Sequence, residues 1–211
     1  MKIGILGSGL MGSKLGTLWA RECHEVTFSY SRSAQKLERL ARECDGFHGS
    51  VSHAVDTSDV LLLSVHWSRI QDVLEQAGDL SGKVVLNCCV PLNEANSEII
   101  VGTTTSGAEE LARLRPKARW VSCFNTVPSE AFGPVYSRKS GSRRPQVLIH
   151  GDDTGAKDVA GGLIREIGFE PREAGPLRTA RFAEPFAMIT AELAYSQPGG
   201  PALTYRFDKL R

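Results

Sequence analysis

Short apolar segments alternate with amphipathic segments along the chain, and this alternation predicts the fold class. Lys2 to Leu6 is an apolar run that ends at a glycine. Apolar residues then recur at i, i+4, i+7 and i+8 from Met11, which is one face of a helix. Val60 to Val65 is almost continuously apolar, as expected for a central strand covered on both faces. The pattern predicts a Rossmann-type α/β fold, doubly wound around a mostly parallel sheet.

The same pattern gives approximate bounds for the remaining elements. Further strands are predicted at 25–30, 84–87, 120–124 and 147–150. Helix starts are predicted at Ser33, at the capping-box pair Ser106 and Glu109, and at Thr154. The segment 128–145 is the expected irregular connection. We therefore predict a Rossmann domain over residues 1–127 and a small C-terminal α/β part, ending in a helical extension, over residues 128–211.

The last predicted helix, residues 179–195, is too apolar for an ordinary surface helix. Its large apolar side chains share one stripe, while alanines lie elsewhere: Phe182, Phe186, Ile189 and Leu193. Two interpretations stay open, namely packing of the stripe on the chain's own sheet and formation of a homodimer interface. Pro185 either kinks this helix or marks its true start.

Composition and charge narrow the class of partner. The 211 residues carry a formal net charge of +1, which gives no reason to expect nucleic acid or a membrane surface as a partner. The basic cluster from Arg138 to Arg144 is interrupted by small residues and favours a solvated loop over a phosphate-binding patch. Five cysteines without a Cys-x-x-Cys pair argue against a disulfide scaffold or a metal site. A cytoplasmic location is expected, with no room for a signal peptide before the first strand.

A glycine-rich turn directly after the first strand predicts a dinucleotide site. Its context, between a strand and a helix, is the one that this motif requires. Gly7 would permit the tight turn, Gly9 the approach of a pyrophosphate, and Gly12 the packing of helix on strand. The helix N-terminus offers free N–H groups to phosphates. The expected contacts are Gly7, Ser8, Gly9, Leu10, Met11 and Gly12.

The end of the second strand indicates which dinucleotide binds. An NAD site usually has a carboxylate there, for the ribose 2′-hydroxyl. This chain has hydroxyl and cationic side chains instead, which suit a 2′-phosphate: Ser31, Arg32, Ser33 and Lys36. Ser8 is within expected reach as well. NADP(H) is therefore the predicted cofactor, and the alternative is that Ser31 and Ser33 serve only as turn and cap residues.

The nicotinamide should lie where further strands end, because ligands of open α/β sheets bind outside the carboxyl ends of strands. The expected framing residues are Ser64, Val65, His66, Trp67, Cys89, Val90 and Pro91, with a third strand end at 125–128. His66 is the one candidate for a catalytic proton donor, and it is equally suited to cap the following helix. Cys88 and Cys89 are interpreted as buried thiols rather than a redox pair.

Taken together, the motifs resemble those of the F420-dependent NADP oxidoreductases, almost from end to end. The matching segments are Gly7–Gly9, Ser31–Arg32 with Lys36, Trp67, Val90–Pro91, Ser106–Glu109, Asn125–Pro128, Gly151–Asp153, Ala174–Leu177 and Ala180–Glu184. The resemblance implies hydride transfer between NADP(H) and a stacked deazaflavin, with the C-terminal part completing the acceptor pocket and a homodimer interface. It also implies that Ser8, Ser31, Arg32 and Lys36 hold the 2′-phosphate. His66 replaces the proline that the family has before its tryptophan.

Three functions are open at this point. The first is an NADP(H)-dependent oxidoreductase whose acceptor is a deazaflavin (coenzyme F420), a flavin or another planar redox molecule. The second is a non-catalytic NADP(H)-binding sensor. The third is a dehydrogenase or imine reductase of a small substrate, for which Lys157 is the only lysine between Lys139 and Lys209.

Overall fold

All strands of the chain join in one sheet, in a computed structural model that describes residues 1–210. In chain order the strands are β1 (Lys2–Leu6), β2 (Glu25–Ser29), β3 (Phe47–His48), β4 (Val60–Leu63), β5 (Val84–Asn87), β6 (Arg119–Cys123), β7 (Gln146–Gly151) and β8 (Glu170–Glu173). They lie in the order β3-β2-β1-β4-β5-β6-β7-β8. The order reverses between β1 and β4, which creates a crevice at the carboxyl ends of these strands.

The helices cover both faces of this sheet. They are α1 (Leu10–Arg21), α2 (Ala34–Glu43), α3 (Val51–Thr57), α4 (Ile70–Ala77), α5 (Gly107–Leu114), α6 (Phe132–Tyr136), α7 (Thr154–Glu166) and α8 (Ala180–Tyr195). One buried cluster, against α1, contains Trp19, Phe28 and Phe124, and a second cluster underlies α3, α4 and α5. The predicted α/β fold, doubly wound and Rossmann-type, is confirmed.

One reversal of strand direction decides what lies at the edge of the sheet where ligands bind. Every neighbouring pair is parallel except β6 and β7, whose register runs Val121 to Gly151 and Cys123 to Ile149. The amino end of β7 therefore lies at the same edge as the carboxyl ends of β1 to β6. Since β7 and β8 extend the same sheet, the predicted division at residue 127 falls between strands of one sheet. That division stays a prediction, and residue 211 lies outside the described part.

Several local predictions need correction. Asp153, not Thr154, caps α7, because its carboxylate accepts the N–H of Ala156 at 2.7 Å. The segment 128–145 is not wholly irregular, since it contains a 3-10 turn and α6. Strands β3 and β8 and helix α3 were not predicted at all.

Helix α8 turns its alanines inward and most of its large apolar side chains outward, while Phe186 packs against Tyr205 and Phe207. Ala183, Ala187 and Ala194 are buried, whereas Phe182 is 68% and Ile189 57% exposed. The predicted apolar stripe therefore does not pack on the chain's own sheet. Pro185 lies inside the helix, which starts at Ala180, so Pro185 does not mark its start. Among residues 1–210, no helix combines the length and apolar character that crossing a bilayer requires.

Candidate active site

Two cavities open at the carboxyl ends of the strands, on either side of the glycine turn. The polar cleft, of about 770 Å³, includes Ser8, Gly9, Tyr30, Ser31, Arg32, Ser33, Lys36, Ser64, Val65, His66, Arg69 and Asp72. The apolar cavity, of about 230 Å³, is lined by Leu10, Met11, Cys88, residues 124–129, Ala187, Thr190, Ala191 and Tyr195. Ser8 and Gly9 face the first cavity while Leu10 and Met11 face the second, so the turn separates them.

The glycine turn has the geometry that its sequence predicts. Gly7 has a φ of +118°, and a Cβ there would lie 2.4 Å from the carbonyl oxygen of Ser64. A Cβ on Gly12 would lie 1.9 Å from the carbonyl oxygen of Gly7, so only glycine lets α1 approach the turn this closely. A Cβ on Gly9 would meet no atom within 4 Å. Gly9 thus borders open space in front of the N-terminus of α1, where a pyrophosphate would fit.

Serine hydroxyls hold this turn to the neighbouring strands. The Ser64 hydroxyl donates to the carbonyl oxygen of Gly7 at 2.6 Å. The Ser8 hydroxyl donates to the carbonyl oxygen of Ser29 at 3.0 Å, and Ser8 is buried. The side chain of Ser8 therefore secures the turn to β2, while its backbone borders the cleft.

The far end of the polar cleft is rich in cationic and hydroxyl groups. Arg32, Lys36 and Arg69 line it, and Asp72 is the one carboxylate among its lining residues in the described chain. Ser33 caps α2 by accepting the N–H of Lys36 at 3.3 Å, and the Ser31 hydroxyl accepts the N–H of Ser33 at 3.2 Å. These two serines serve as turn and cap residues and also line the cleft, so the two interpretations are compatible.

Arg69 and Tyr30 are parts of the cleft that the sequence interpretation missed. Tyr30 follows β2 with a φ of +55° and donates a hydrogen bond of 2.5 Å to Asp72 in α4. Burial, together with the neighbouring Asp72 carboxylate, raises the pKa of Tyr30 to about 12, so the phenol stays a donor. This bond connects β2 to α4 across the cleft. Arg69 directly precedes α4. The only sequence signal that could have pointed to Arg69 is the rule that ligands bind outside the carboxyl ends of the strands.

His66 has both ring nitrogens engaged. Its Nδ1 accepts the N–H of Ser68 at 3.2 Å, which caps the 3-10 turn at 67–69. Its Nε2 lies 3.2 Å from the carbonyl oxygen of Asn93, an acceptor, so Nε2 carries the proton. The imidazole thus bridges two loops and borders the polar cleft.

The role of Trp67, Cys89, Val90 and Pro91 as a wall for the nicotinamide stays a prediction. Trp67 and Pro91 both contact Gly107, where a Cβ would approach them to 3.0 and 3.1 Å. In the part of the chain that is described, these four residues line neither cavity. Cys88 lines the apolar cavity, although Cys88 and Cys89 are both buried free thiols, as predicted. Burial raises the pKa of Cys89 to about 12 and also raises that of Cys88, so both stay protonated.

Polar groups in the apolar cavity are few and specifically placed. Asn125 is largely buried, and its Nδ2 donates to Ser122 at 3.1 Å. Its Oδ1 is a buried acceptor without a partner within residues 1–210. Tyr195 donates to Glu130 at 2.9 Å, and burial raises its pKa to about 12. A buried acceptor without a partner is costly unless a ligand or water supplies a donor.

Helix α8 is anchored beside this cavity by a buried carboxylate. Glu184, 1% exposed, accepts the N–H groups of Gly107 and Ala108 at 2.8 and 3.0 Å. Arg181 makes two hydrogen bonds to Glu109, of 2.7 and 2.6 Å. Burial raises the pKa of Glu184 to about 7, although its two N–H partners act in the opposite direction. These contacts join α8 to α5, and through Gly107 to Trp67 and Pro91.

Known proteins resemble the chain in both sequence and fold. Residues 2–91 match the family described as "NADP oxidoreductase coenzyme F420-dependent". Metalloreductase STEAP3 of Rattus norvegicus is 29% identical over 188 residues, which are 87% of this chain. The match spans only 36% of the length of that relative.

Solved structures extend the likeness to the whole chain. A candidate F420-dependent NADP reductase from Arthrobacter sp. FB24 has a TM-score of 0.87 at 21% identity, covering 99% of this chain and 100% of that one. A reductive aminase from Aspergillus terreus, solved with NADPH and ethyl levulinate, has a TM-score of 0.65 at 20% identity, covering 90% of this chain and 60% of that one. Identities this low establish the fold alone. The resemblance to the F420-dependent NADP oxidoreductases is thus confirmed by the family match over residues 2–91, and residues 1–210 have a Rossmann-like α/β fold.

Proposed function

We propose that this protein is an NADP(H)-dependent oxidoreductase that transfers hydride between the nicotinamide and a planar redox acceptor, such as a deazaflavin or flavin. The observation that carries the proposal is the pair of cavities on either side of one glycine turn. The polar cleft suits an anionic dinucleotide, and the apolar cavity suits flat rings.

The polar cleft fits NADP(H) in its charges and in its free space. Gly9 leaves open space for the pyrophosphate at the N-terminus of α1. Arg32, Lys36 and Arg69, beside the Ser31 hydroxyl, offer donors and positive charge to a 2′-phosphate. The β2 end carries no carboxylate for a free 2′-hydroxyl, since Tyr30 occupies that point. Ser8 would contribute its backbone, because its hydroxyl is bound to Ser29.

The apolar cavity fits the planar ring of the acceptor, which would stack on the nicotinamide where the two cavities adjoin. When bound, the nicotinamide supplies or takes up a hydride at one face of its ring. Leu10, Met11 and Cys88 give the cavity an apolar lining, against which flat rings can pack. Asn125 borders the cavity, and its Oδ1 is buried without a hydrogen-bond partner within residues 1–210. These residues orient rings, and orientation is the main requirement of direct transfer between stacked rings.

The side chains that the sequence offers for covalent or acid–base chemistry are engaged in structural contacts. The ring nitrogens of His66 both serve the loop structure, so we assign it a positioning role. Lys157, the candidate for a small-substrate dehydrogenase, makes an ion pair of 3.0 Å with Glu173. The names of the relatives mention reduction of metals, amination and F420-coupled transfer, and they support a reductase without specifying the acceptor.

The test is anaerobic oxidation of NADPH, followed at 340 nm, with a synthetic deazaflavin, riboflavin and FMN as acceptors. We expect turnover with at least one of them and faster oxidation of NADPH than of NADH. Tight NADP(H) binding with no hydride transfer to any planar acceptor would refute the proposal and favour the sensor.

We also propose a cytoplasmic homodimer formed through the exposed stripe of α8. Phe182, Ile189 and Leu193 are exposed apolar residues that lie on one side of the helix. A helix can pair with its own copy around a two-fold axis. Light scattering after size exclusion should give twice the chain mass, and Ile189→Glu should halve it. A monomer in the wild type would refute this.

A further inference from the structure

One carboxylate lies in a cleft that otherwise suits a phosphate. Asp72, in the first turn of α4, is the only acidic residue among those in residues 1–210 that line the polar cleft. Arg69 lies three positions before it, at the N-cap of α4. Side chains at this spacing on a helix can form ion pairs. A pair between Asp72 and Arg69 would take the guanidinium group away from a ligand phosphate.

The Asp72 carboxylate is bound by other groups instead. The Tyr30 hydroxyl donates to its Oδ2 at 2.5 Å, and the side-chain amide of Gln76 donates to its Oδ1 at 2.9 Å. The hydrogen bond from Tyr30 is the main cause that holds the pKa of Asp72 below its ordinary value, so the carboxylate stays charged. Both of its oxygens are thus engaged, and within residues 1–210 Arg69 makes no ion pair with a carboxylate.

Tyr30 is held in place by both its backbone and its ring. Its φ of +55° lies in the left-handed region, which bulky residues rarely adopt. Its carbonyl oxygen accepts the N–H of Ser8 in the glycine turn at 3.1 Å, and its ring packs against the buried cluster under α3, α4 and α5. Backbone strain of this kind persists where the surrounding structure fixes it, and it is common at functional sites. Here the strained backbone lets a residue at the end of β2 reach a carboxylate in α4.

Two arginines of the cleft lie near the bond between Tyr30 and Asp72. Burial and the Asp72 carboxylate raise the pKa of Tyr30 to about 12, whereas the charges of Arg69 and Arg32 act on it in the opposite direction. An Asp72 released from Tyr30 would therefore have guanidinium groups nearby. A carboxylate and a guanidinium group form strong, charge-assisted hydrogen bonds, so the released carboxylate would compete with a ligand phosphate.

We propose that Tyr30 is a positioning residue for the choice of cofactor: by holding Asp72, it leaves Arg69 free to bind the 2′-phosphate of NADP(H). The inference rests on the proposed function and adds to it a pair of residues that sets the preference for NADPH over NADH. The 2′-phosphate is the one group that distinguishes these two molecules. An effect that passes through Arg69 therefore changes the binding of NADPH and leaves that of NADH as it is.

Titration calorimetry with NADPH and NADH tests this on the wild type and on variants of the pair. Tyr30→Phe keeps the ring and removes the donor, and it should raise the Kd for NADPH about tenfold, as loss of one charged hydrogen bond would, with the Kd for NADH unchanged. Tyr30→Phe combined with Asp72→Asn should restore the Kd of the wild type for NADPH, because a neutral amide does not compete with a phosphate for Arg69. The matched control is Tyr136→Phe, which removes a tyrosine hydrogen bond to a carboxylate, Glu22, outside the cleft and should change neither constant.

A double-mutant cycle shows whether the effect of Tyr30 passes through Arg69. Arg69→Gln should itself raise the Kd for NADPH about tenfold, because it also removes one charged hydrogen bond to the 2′-phosphate. In that background Tyr30→Phe should have no further effect on NADPH binding, since the group that it keeps free is already absent. Additive losses in the double variant would overturn the proposal.

An equal loss of NADPH and NADH binding in Tyr30→Phe, or a loss that Asp72→Asn does not restore, would make Tyr30 a purely structural residue and overturn the proposal. Because binding is measured without an acceptor, this test is separate from that of the proposed function. If the variants bind as expected but no planar acceptor is reduced, the role of Tyr30 stands and the proposed activity is refuted. If NADPH reduces an acceptor while Tyr30→Phe keeps the preference of the wild type, the activity stands and this inference is refuted.

Discussion

The polar cleft and the apolar cavity share one glycine turn but are built in different ways. The residues that line the cleft all fall between Ser8 and Gln76, including Ser31 and Lys36 after β2 and Arg69 before α4. The apolar cavity combines Leu10 with residues far along the chain, including Asn125 and Ala191. The polar cleft offers charged groups and hydrogen-bond donors to a ligand, whereas the apolar cavity offers mainly a shape that matches it. A dinucleotide site is thus encoded locally, whereas the acceptor site depends on how distant elements pack.

The largest expected effect comes from adding a methyl group to the shared turn. Gly12→Ala would place a Cβ 1.9 Å from the carbonyl oxygen of Gly7, and the strain should lower the free energy of unfolding by about 3 kcal/mol. NADPH binding should be lost with it. In the control, Gly9→Ala, the Cβ meets no protein atom but intrudes on the cleft. Thermal denaturation should leave Gly9→Ala near the wild type while calorimetry shows loss of NADPH binding. Equal stability of the two variants would contradict the account.

The stability of the fold should depend on pH through Glu184, beside the apolar cavity. A carboxyl group whose folded pKa is raised to about 7 stabilises the fold fully below its ordinary value of 4.5, and this stability is lost as pH rises through 7. The loss between pH 5 and pH 8 amounts to about 3 kcal/mol. Glu184→Gln should remove this part of the pH dependence.

Chemical denaturation of the wild type and of Glu184→Gln at each pH gives the difference in their free energies of unfolding. The contributions of other titrating groups cancel in this difference. The exposed Glu192→Gln, on the same helix, is the control and should keep the wild-type slope. If the free energy of unfolding changes with pH in the same way for the wild type and Glu184→Gln, Glu184 does not titrate in this range.

Filling the apolar cavity should abolish transfer without affecting cofactor binding. Ala191→Phe would occupy much of a space of about 230 Å³. We expect kcat/KM for the acceptor to fall about 100-fold, since misplacement by about 1 Å costs that much. Ala191→Ser, which keeps the volume, is the control. If Ala191→Phe weakens NADPH binding as strongly as it slows the reaction, the two cavities are not separate.

Arg32→Ala alters the polar cleft and leaves the apolar cavity unchanged. Loss of a charged hydrogen bond to a 2′-phosphate should weaken NADPH binding by about tenfold to 100-fold and leave NADH binding unchanged. Arg39→Ala, on the exposed part of α2, removes the same charge away from the cleft and should have no effect. Titration calorimetry of the wild type and of Arg32→Ala with NADPH and NADH gives the four dissociation constants. An equal loss for NADPH and NADH would refute the assignment of the 2′-phosphate.

His66→Ala should have the smallest effect. Loss of the cap on the turn at 67–69 should lower the free energy of unfolding by about 1 kcal/mol, with kcat unchanged. Stopped-flow kinetics would check the rate. A fall in kcat of about 100-fold or more would instead identify His66 as a general acid.

The sequence predicted most accurately those features that depend on short-range spacing. The glycine turn, the Ser33 cap and the Ser106 cap each rest on residues within one turn of chain. Strand β8 was missed because its residues 170–173 are charged or proline and carry no apolar alternation. Strand β3 consists of two exposed residues, too few for any periodic signal.

The orientation of α8 could not be read from periodicity, because periodicity identifies an apolar face but not what covers it. The sequence left open whether its large stripe packs on the chain's own sheet or on a second copy, and the face that is buried carries alanines, Glu184 and Thr190. Glu184 shows the same limit, since a buried carboxylate needs N–H donors from α5, 76 and 77 residues away. Trp67 and Pro91 are expected at the nicotinamide because of where their strands end, and nothing in the sequence indicates that they also pack beside Gly107.

Direct transfer of hydride between two adjoining cavities is the central claim, and isotopic labelling tests it most directly. NADPH carrying two deuterium atoms at the nicotinamide C4 would be mixed anaerobically with 5-deazariboflavin, whose reduced ring carbon does not exchange its hydrogen with water. Mass spectrometry should find one deuterium in each reduced deazaflavin formed in ordinary water. Reduced deazaflavin without deuterium, or NADPH that stays unoxidised, would contradict it.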